Sequence, residues 1–360
     1  MRSGGYDPDK PTVLFLHGYI GSANDCMRVR RDHQVCATRV RFCALDRPGN
    51  GYSENYSAEG KGHLHFGKVA EATEDVLRAY GVKGDIILMF HSLGSYWAMA
   101  LAHQVRDICS ILQCVAVCCS VLQRVAVCCS VLQRDAVWHA FDRRSTDSDS
   151  WRWRIQVRDI SNSSDMRFVG GVAIDALATQ WVSPRDPRWI SWNEPSPEAD
   201  CNPNAPLHDP YGYGDLWKLI KTLTPTGLVR LLYATGFGNY NVVIKMYPSD
   251  VQGAVETYSM SRKFIDTAIL ETERWDINCG YAKAGEGVFA ELVAFELIVV
   301  PKGLNLSALA LLNPRSNVTI AQGPKENEHS GILLHKDYAP IVAQALLRVI
   351  RKVEVHLTET

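Results

Sequence analysis

The chain has 360 residues, of which 46% are hydrophobic and 21% are charged, and its net charge at pH 7 is -1. This length and apolar content are enough for one large buried core. The near-zero net charge gives no electrostatic reason to expect nucleic acid or an anionic membrane as a partner. Because residues 1–10 are polar and glycine-rich, we expect no secretory signal and favour an intracellular location.

Two short apolar segments near the start of the chain predict strands, and each is followed by a turn of small residues. Thr12–Leu16 leads into His17-Gly-Tyr-Ile-Gly-Ser22, and Val40–Leu45 leads into Asp46-Arg-Pro-Gly-Asn-Gly-Tyr-Ser53. Continuous apolar runs are typical of buried parallel strands. Ligands of open α/β sheets bind where such strands end, so both turns are candidate site segments.

A third apolar segment, Ile86–Phe90, ends on His91-Ser-Leu-Gly94 and continues as a helix-like sequence. A tight turn from strand to helix exposes one hydroxyl above the sheet, which makes Ser92 a candidate nucleophile. Phe90 departs from the Gly-x-Ser-x-Gly pattern, since a small residue normally stands there and the cramped turn leaves no room for a ring. The alternative is an ordinary serine that caps the following helix.

These segments, in this order and spacing, resemble the α/β-hydrolase superfamily, in particular the group with His-Gly, Asp-Arg-Pro-Gly-x-Gly-x-Ser and His-Ser-x-Gly motifs. The resemblance extends from about Pro11 to about Ile350. It implies an α/β fold with a mostly parallel sheet, helices on both faces, a helical cap and an antiparallel hairpin before the first strand. It also implies Ser92 as nucleophile and the main-chain N–H groups of Tyr19 and Leu93 as oxyanion donors. Dehalogenases and epoxide hydrolases of this fold use an aspartate nucleophile, so Ser92 argues against both.

The resemblance implies a general base after the last strand. Asn317–Ala321 predicts that strand, and His329 lies in the predicted loop that follows, ahead of an amphipathic helix over 338–353. Because a histidine at this position suits proton transfer, His329 is the candidate base and His335 is the fallback. The histidines of the two upstream motifs are interpreted as structural or oxyanion-side: His17 and His91.

The acid is open between two positions. After the predicted strand Phe295–Val300, the family pattern Gly-x-Asp would place an aspartate where Asn305 stands. An asparagine cannot stabilise the imidazolium that forms in the transition state. The alternative is Asp175, after the predicted strand Phe168–Ile174, since some lipases of this fold resemble that arrangement. An aspartate at such a place is also common for purely structural reasons.

A decapeptide repeats almost unchanged from Cys109 to Val137, and the pentapeptide Gln-Val-Arg-Asp-Ile occurs at 104–108 and again at 156–160. Such near-perfect copies are typical of a recent expansion rather than a solenoid. We therefore predict that 109–160 is a low-complexity insertion or an unspliced segment. Sequencing the transcript tests this prediction, because a message without the segment would show that it does not belong to the protein.

The predicted organisation is a hydrolase core interrupted by an insertion and a cap. The predicted segments are core at 1–108, insertion at 109–160, core strand and loop at 161–178, cap at 179–290 and core at 291–360. The aromatic cap predicts an enclosed, mostly apolar pocket. We expect a serine hydrolase that cleaves an ester or related acyl bond of a small apolar substrate, without cofactor, metal or transmembrane segment. The alternatives are a non-catalytic relative that binds a small ligand, and an acyltransferase.

Overall fold

The computed structural model describes the following parts of the chain: residues 6–54, 65–105, 166–176, 213–226, 228, 231, 240–273, 278, 287–300, 313, 316–321 and 328–359. The chain divides into two units, Met1–Gln104 with Met166–Thr360, and Val105–Asp165. Only Val105 of the second unit is described. The predicted insertion at 109–160 lies outside the described residues, as do parts of the predicted cap.

Six strands form one sheet. They are β1 (Thr12–Leu16), β2 (Arg41–Leu45), β3 (Gly84–His91), β4 (Met166–Ile174), β5 (Ala294–Val299) and β6 (Asn317–Ile320). Their order is β2-β1-β3-β4-β5-β6, and every pairing among these described strands is parallel. Each of the six predicted strands is therefore present, and the predicted α/β class is confirmed. The described residues before β1, 6–11, contain no strand.

The order in which strands are added to the sheet changes side between β1 and β3, although the two strands are parallel. From β1 the chain moves outward to β2, and it then returns past β1 to β3 and continues through β4, β5 and β6 on that side. In open α/β sheets a crevice forms at such a reversal, beyond the carboxyl ends of the two strands. The turn that begins at His17 and the turn around Ser92 follow these two strands, so the topology brings them to the same crevice.

The isolated described positions Leu228, Leu231 and Asn278 are helical, and the described residues also include the following α-helices. They are α1 (Met27–Arg30), α2 (His33–Ala37), α3 (Phe66–Ala79), α4 (94–105), α5 (Tyr213–Leu223), α6 (Tyr240–Met246), α7 (Ser249–Ser259), α8 (Arg262–Glu273), α9 (Glu328–Leu334) and α10 (Ala339–Glu359), and short 3₁₀ helices lie at Ala23–Cys26, Thr224–Thr226 and Val288–Glu291. None of the described helices is long and apolar enough to cross a membrane.

The segment 249–273 does not form one continuous helix. Two helices, α7 and α8, occupy the segment, and they are separated at Met260 and Ser261. The Ser261 hydroxyl accepts a hydrogen bond from the Phe264 N–H over 3.2 Å, which satisfies an N–H of the first turn of α8. A serine that caps a new helix start is the physical reason for the break.

Both faces of the sheet are buried. On one face, strand residues such as Phe15, Met89 and Ile298 share a core cluster with Leu346 and Val349 of α10. The alternate strand residues point to the other face, and Leu14, Leu16 and Leu88 among them are also fully buried. A second cluster joins helices α6 to α9, and its members are Ile244, Tyr247, Val255, Tyr258, Phe264, Ile265, Ile269 and Leu334.

Candidate active site

Ser92 follows β3 on a turn with unusual backbone geometry. Its φ angle is 50°, in the left-handed region that residues other than glycine rarely adopt. The Ser92 N–H donates to the Ile174 carbonyl over 3.1 Å, and the Ser95 hydroxyl donates to the Ser92 carbonyl over 2.9 Å. Strained backbone of this kind persists only where its surroundings hold it, and it is frequent at functional sites. These two contacts hold Ser92 at the carboxyl end of the sheet.

Phe90 stands where a small residue was expected, and the expectation that a ring has no room there is wrong. Its side chain is fully buried. The ring stacks on Phe289, with centroids 5.3 Å apart and planes at 21°, and lies 6.3 Å from the ring of Phe295. Gly171 on β4 leaves space for this aromatic cluster, because a Cβ atom there would lie 2.6 Å from the Phe295 ring.

His329 lies next to Ser92. Its Nε2 atom is 2.9 Å from Ser92 Oγ, and its Nδ1 atom is hydrogen-bonded to Asp175 Oδ2. A carboxylate only accepts hydrogen bonds, so Nδ1 carries the proton and Nε2 is left to accept from the serine hydroxyl. His329 lies in the first turn of α9 rather than in the predicted loop, which is a correction to the sequence prediction.

Asp175 follows β4 and is fixed by its main chain. Its φ angle is 39°, and its N–H donates to the Ile298 carbonyl over 2.7 Å. The side chain is 1% exposed, and Oδ1 has no hydrogen-bond partner within the part of the chain that the structure describes. Of the two positions left open for the acid, Asp175 lies beside His329, whereas Asn305 is outside the described residues.

His91 contacts the same histidine from the other side. Its Nε2 atom lies 3.0 Å from the main-chain oxygen of His329, and the two imidazole rings are 4.9 Å apart. Burial, together with the neighbouring His329, lowers the pKa of His91 to about 3. A neutral His91 therefore supports the backbone that carries His329. The only sequence signal for this contact is the position of His91 immediately before Ser92.

His335, the fallback candidate for the general base, lies in a different place from His329. His335 follows the end of α9, and its Nδ1 atom lies 3.5 Å from Asp337 Oδ2 at the protein surface rather than beside Ser92. Among the described residues, no group of three or more His, Cys, Asp or Glu side chains is arranged to hold a metal ion. The side chains that the structure brings together at this place are those of Ser92, His329 and Asp175.

The two predicted oxyanion donors lie on segments that meet at Ser92. A Cβ atom on Gly18, the residue before Tyr19, would be 3.0 Å from Ser92 Cβ, so the turn after β1 passes directly against the serine. The Tyr19 hydroxyl lies 2.7 Å from the hydroxyl of Thr272 on α8, which anchors this turn. Leu93 is fully buried at the start of α4. The turn that carries Tyr19 thus lies against Ser92, and Leu93 is the residue that follows Ser92 in the chain.

The chain belongs to the alpha/beta hydrolase family, which it matches over residues 13–244. Membership of this family supports a hydrolytic enzyme, in agreement with the parallel sheet and the position of Ser92 at its carboxyl edge. No curated protein sequence matches the chain.

Solved structures with the same fold span almost the whole chain. A candidate lipase from Acinetobacter baumannii is 16% identical, with a TM-score of 0.52 and coverage of 99% of this chain and 91% of its own. A loop variant of a haloalkane dehalogenase from Bradyrhizobium elkanii is 14% identical, with a TM-score of 0.54 and coverage of 99% and 93%. A hydrolase from Oleispira antarctica is 11% identical, with a TM-score of 0.51 and coverage of 96% and 93%. At these identities the likeness concerns the fold alone.

Proposed function

We propose that this protein is a serine hydrolase that cleaves an ester or related acyl bond of a small, largely apolar substrate through an acyl-enzyme. The hydrogen bond between Ser92 Oγ and His329 Nε2, 2.9 Å long, carries this proposal. A serine hydroxyl is a weak nucleophile until an adjacent base takes its proton. A histidine held by an aspartate on its other ring nitrogen supplies such a base, and Asp175 is bonded to that nitrogen.

The first half of the reaction forms the acyl-enzyme. Ser92 Oγ attacks the acyl carbonyl while its proton passes to Nε2 of His329, and the negatively charged Asp175 stabilises the resulting imidazolium. The carbonyl oxygen becomes an oxyanion that accepts hydrogen bonds from the main-chain N–H groups of Tyr19 and Leu93. When the carbonyl re-forms, the bond to the leaving group breaks, and His329 returns the proton to the departing oxygen.

The second half consumes one water molecule. His329 takes a proton from the water, whose oxygen attacks the acyl carbon and forms a second tetrahedral intermediate. Collapse of that intermediate releases the carboxylic acid, and the proton returns from His329 to Ser92 Oγ, which restores the starting state. The apolar substrate class rests on the aromatic composition of the cap segment 179–290, which favours an enclosed pocket.

Labelling with a fluorophosphonate probe tests the proposal, because the probe reacts with an activated serine and not with an ordinary hydroxyl. We expect the full chain to be labelled on the peptide that contains Ser92, and Ser92→Ala to remain unlabelled. His329→Gln should also lose labelling, whereas His335→Gln, its matched control, should keep it. A folded parent chain that is not labelled would contradict the proposal and would leave a non-catalytic ligand-binding protein as the better interpretation.

Hydrolysis and acyl transfer begin with the same acyl-enzyme and differ in the group that accepts the acyl chain, so analysis of the products separates them. Protein that has not been treated with the probe is given p-nitrophenyl butyrate in water with and without added methanol. We expect butyric acid as the main product in both cases. Methyl butyrate as the dominant product at low methanol concentration would identify an acyltransferase instead.

A further inference from the structure

The carbonyl of Gly18 accepts a hydrogen bond from a buried arginine, Arg47, in the turn that follows β2. Arg47 donates from Nη1 to the His17 carbonyl over 2.6 Å and from Nη2 to the Gly18 carbonyl over 2.8 Å. The Gly21 N–H donates to the same Gly18 carbonyl over 3.2 Å. Two consecutive carbonyls of the turn after β1 therefore point at one guanidinium group.

The ring of His17 adds a third donor to the Gly18 carbonyl. Its Nε2 atom lies 3.2 Å from the Arg47 main-chain N–H, which can only donate, so Nε2 accepts and the proton is on Nδ1. That Nδ1 atom lies 2.9 Å from the Gly18 carbonyl. Burial and the charge of Arg47 lower the pKa of His17 well below its ordinary value, which keeps this neutral form.

Fixing the Gly18 carbonyl also fixes the N–H of Tyr19. The peptide group between the two residues is planar, and in its trans form the N–H points opposite to the carbonyl. The guanidinium of Arg47 therefore sets the direction of the Tyr19 N–H, even though it does not touch that group. A Cβ atom on Gly18 would lie 3.0 Å from Ser92 Cβ, so this part of the turn lies against the serine residue.

Arg47 is locked in place by a partner on the α8 helix. Its Nε atom donates to Glu271 Oε1 over 2.8 Å, and its Nη2 atom lies 3.1 Å from Glu271 Oε2. The two side chains are 1% and 4% exposed, and Asn50 also donates to Glu271 over 3.1 Å. A planar guanidinium can bind a carboxylate and two carbonyls at once, whereas a lysine ammonium lacks this geometry.

From these contacts we infer that Arg47 is a positioning residue that aims the Tyr19 N–H at the developing oxyanion. The inference rests on the proposed function in so far as that N–H acts on an acyl carbonyl. Loss of the guanidinium should weaken stabilisation of the transition state more than binding of the substrate, because the oxyanion exists only after attack. The expected signature is a fall in kcat with little change in KM.

The test compares Arg47→Lys with the parent and with Arg31→Lys, whose arginine forms an exposed ion pair with Asp250. Steady-state hydrolysis of p-nitrophenyl butyrate should show kcat lowered about 10- to 100-fold for Arg47→Lys, somewhat less than the loss of an oxyanion donor outright. KM should stay within about threefold of the parent value. Arg31→Lys should match the parent in both constants.

Hydrogen exchange of the peptide spanning residues 17–22 provides a readout that does not depend on activity. We expect its amides to exchange about tenfold faster in Arg47→Lys than in the parent, because the turn has lost its guanidinium contacts. Unchanged exchange in the folded variant would overturn the inference whether or not the protein is an esterase. Faster exchange in Arg47→Lys, together with a parent chain that neither labels nor hydrolyses the ester, would instead contradict the proposed function and leave the positioning contact intact.

A double variant keeps the inference testable if Arg47→Lys does not fold. Arg47→Met with Glu271→Met removes both charges together, and apolar replacement of a complete buried ion pair is often tolerated, whereas removal of one partner is not. The folded double variant should show the same fall in kcat and the same faster exchange. A double variant with parental kcat would overturn the inference.

Discussion

The imidazole of His91 donates a hydrogen bond to the main-chain carbonyl of His329 over 3.0 Å, so the residue before the candidate nucleophile supports the candidate base. Replacement His91→Phe keeps a ring but removes the donor. A net hydrogen bond contributes roughly 0.5–1.5 kcal/mol, and we therefore expect fluorophosphonate labelling to slow by about 3- to 10-fold. His91→Gln, whose amide can still donate, should lose less.

The pH dependence of that labelling gives an independent check. Because burial and His329 lower the pKa of His91 to about 3, this group stays neutral throughout pH 5 to 9. The labelling rates of the parent and of His91→Phe should then follow profiles of the same shape over this range, offset by a constant factor. A shifted acid limb in the variant would show that His91 titrates there and would contradict the neutral assignment.

Replacement of Asp175 by asparagine should abolish most of the activity while preserving the fold. The amide cannot stabilise the imidazolium and can favour the wrong tautomer of His329, an exchange that costs on the order of 10⁴-fold in a serine protease. Hydrolysis of p-nitrophenyl butyrate by Asp175→Asn measures this loss. Asp85→Asn is the matched control, because Asp85 forms a surface ion pair with Arg167 and should change the rate less than about twofold. A variant within tenfold of the parent would rule out Asp175 as the acid.

Local sequence predicts the strands well, and it identifies the candidate site residues only where their signal lies in neighbouring residues. Ser92, Leu93 and the small-residue turn at Tyr19 are signalled by residues next to them, because an apolar run that stops at a tight turn is a local feature. The choice of Asp175 depends on which strand end lies beside His329, and no local pattern contains that information.

The wrong expectation at Phe90 and the contact of Arg47 that the sequence did not indicate have one cause, which is packing between residues far apart in the chain. Phe90 is accommodated because its ring packs on Phe289 and Phe295, and Gly171 leaves space for this aromatic cluster. Arg47 binds Glu271, which is more than two hundred residues away in the sequence. Only the packed sheet brings these groups together. Sequence periodicity reports which face of a strand is buried, but it does not report which side chains share that burial.

Gly94 is required by a close approach of two backbones. A Cβ atom at this position would lie 2.3 Å from the Leu16 carbonyl oxygen and 2.8 Å from the His17 carbonyl oxygen, so α4 could not begin where it does. Overpacking of this kind typically costs about 1–3 kcal/mol. We expect Gly94→Ala to lower the midpoint of urea unfolding and to slow labelling of Ser92. Gly253→Ala is the control, since nothing lies within 4 Å of its Cβ position on α7 and the change should stabilise by up to roughly 1 kcal/mol.

Asp25 is a buried carboxyl group that should make the fold less stable as pH rises. Its Oδ1 accepts from the Tyr247 hydroxyl over 2.7 Å and its Oδ2 from the Ser22 N–H over 3.1 Å, yet burial raises the pKa to about 7. In the unfolded chain the pKa is about 3.9. Between these two values the native state holds a proton that the unfolded state has released, so the free energy of unfolding falls as pH rises through this window.

Replacement Asp25→Asn removes this proton linkage, because the amide is neutral and similar in shape to the protonated acid. The variant should therefore gain stability relative to the parent on going from pH 5 to pH 8, measured as the change in Tm at the two values. Each kcal/mol shifts Tm by about 2–4 °C in domains of roughly 150–250 residues, and by less in a longer chain such as this one. Asp9→Asn, at an exposed position, should keep the parent's difference between the two pH values. Equal loss of Tm in the parent and in Asp25→Asn would show that Asp25 is already ionised in the native state at pH 5. Only a carboxyl group that is still protonated there can make the folded protein less stable as pH rises.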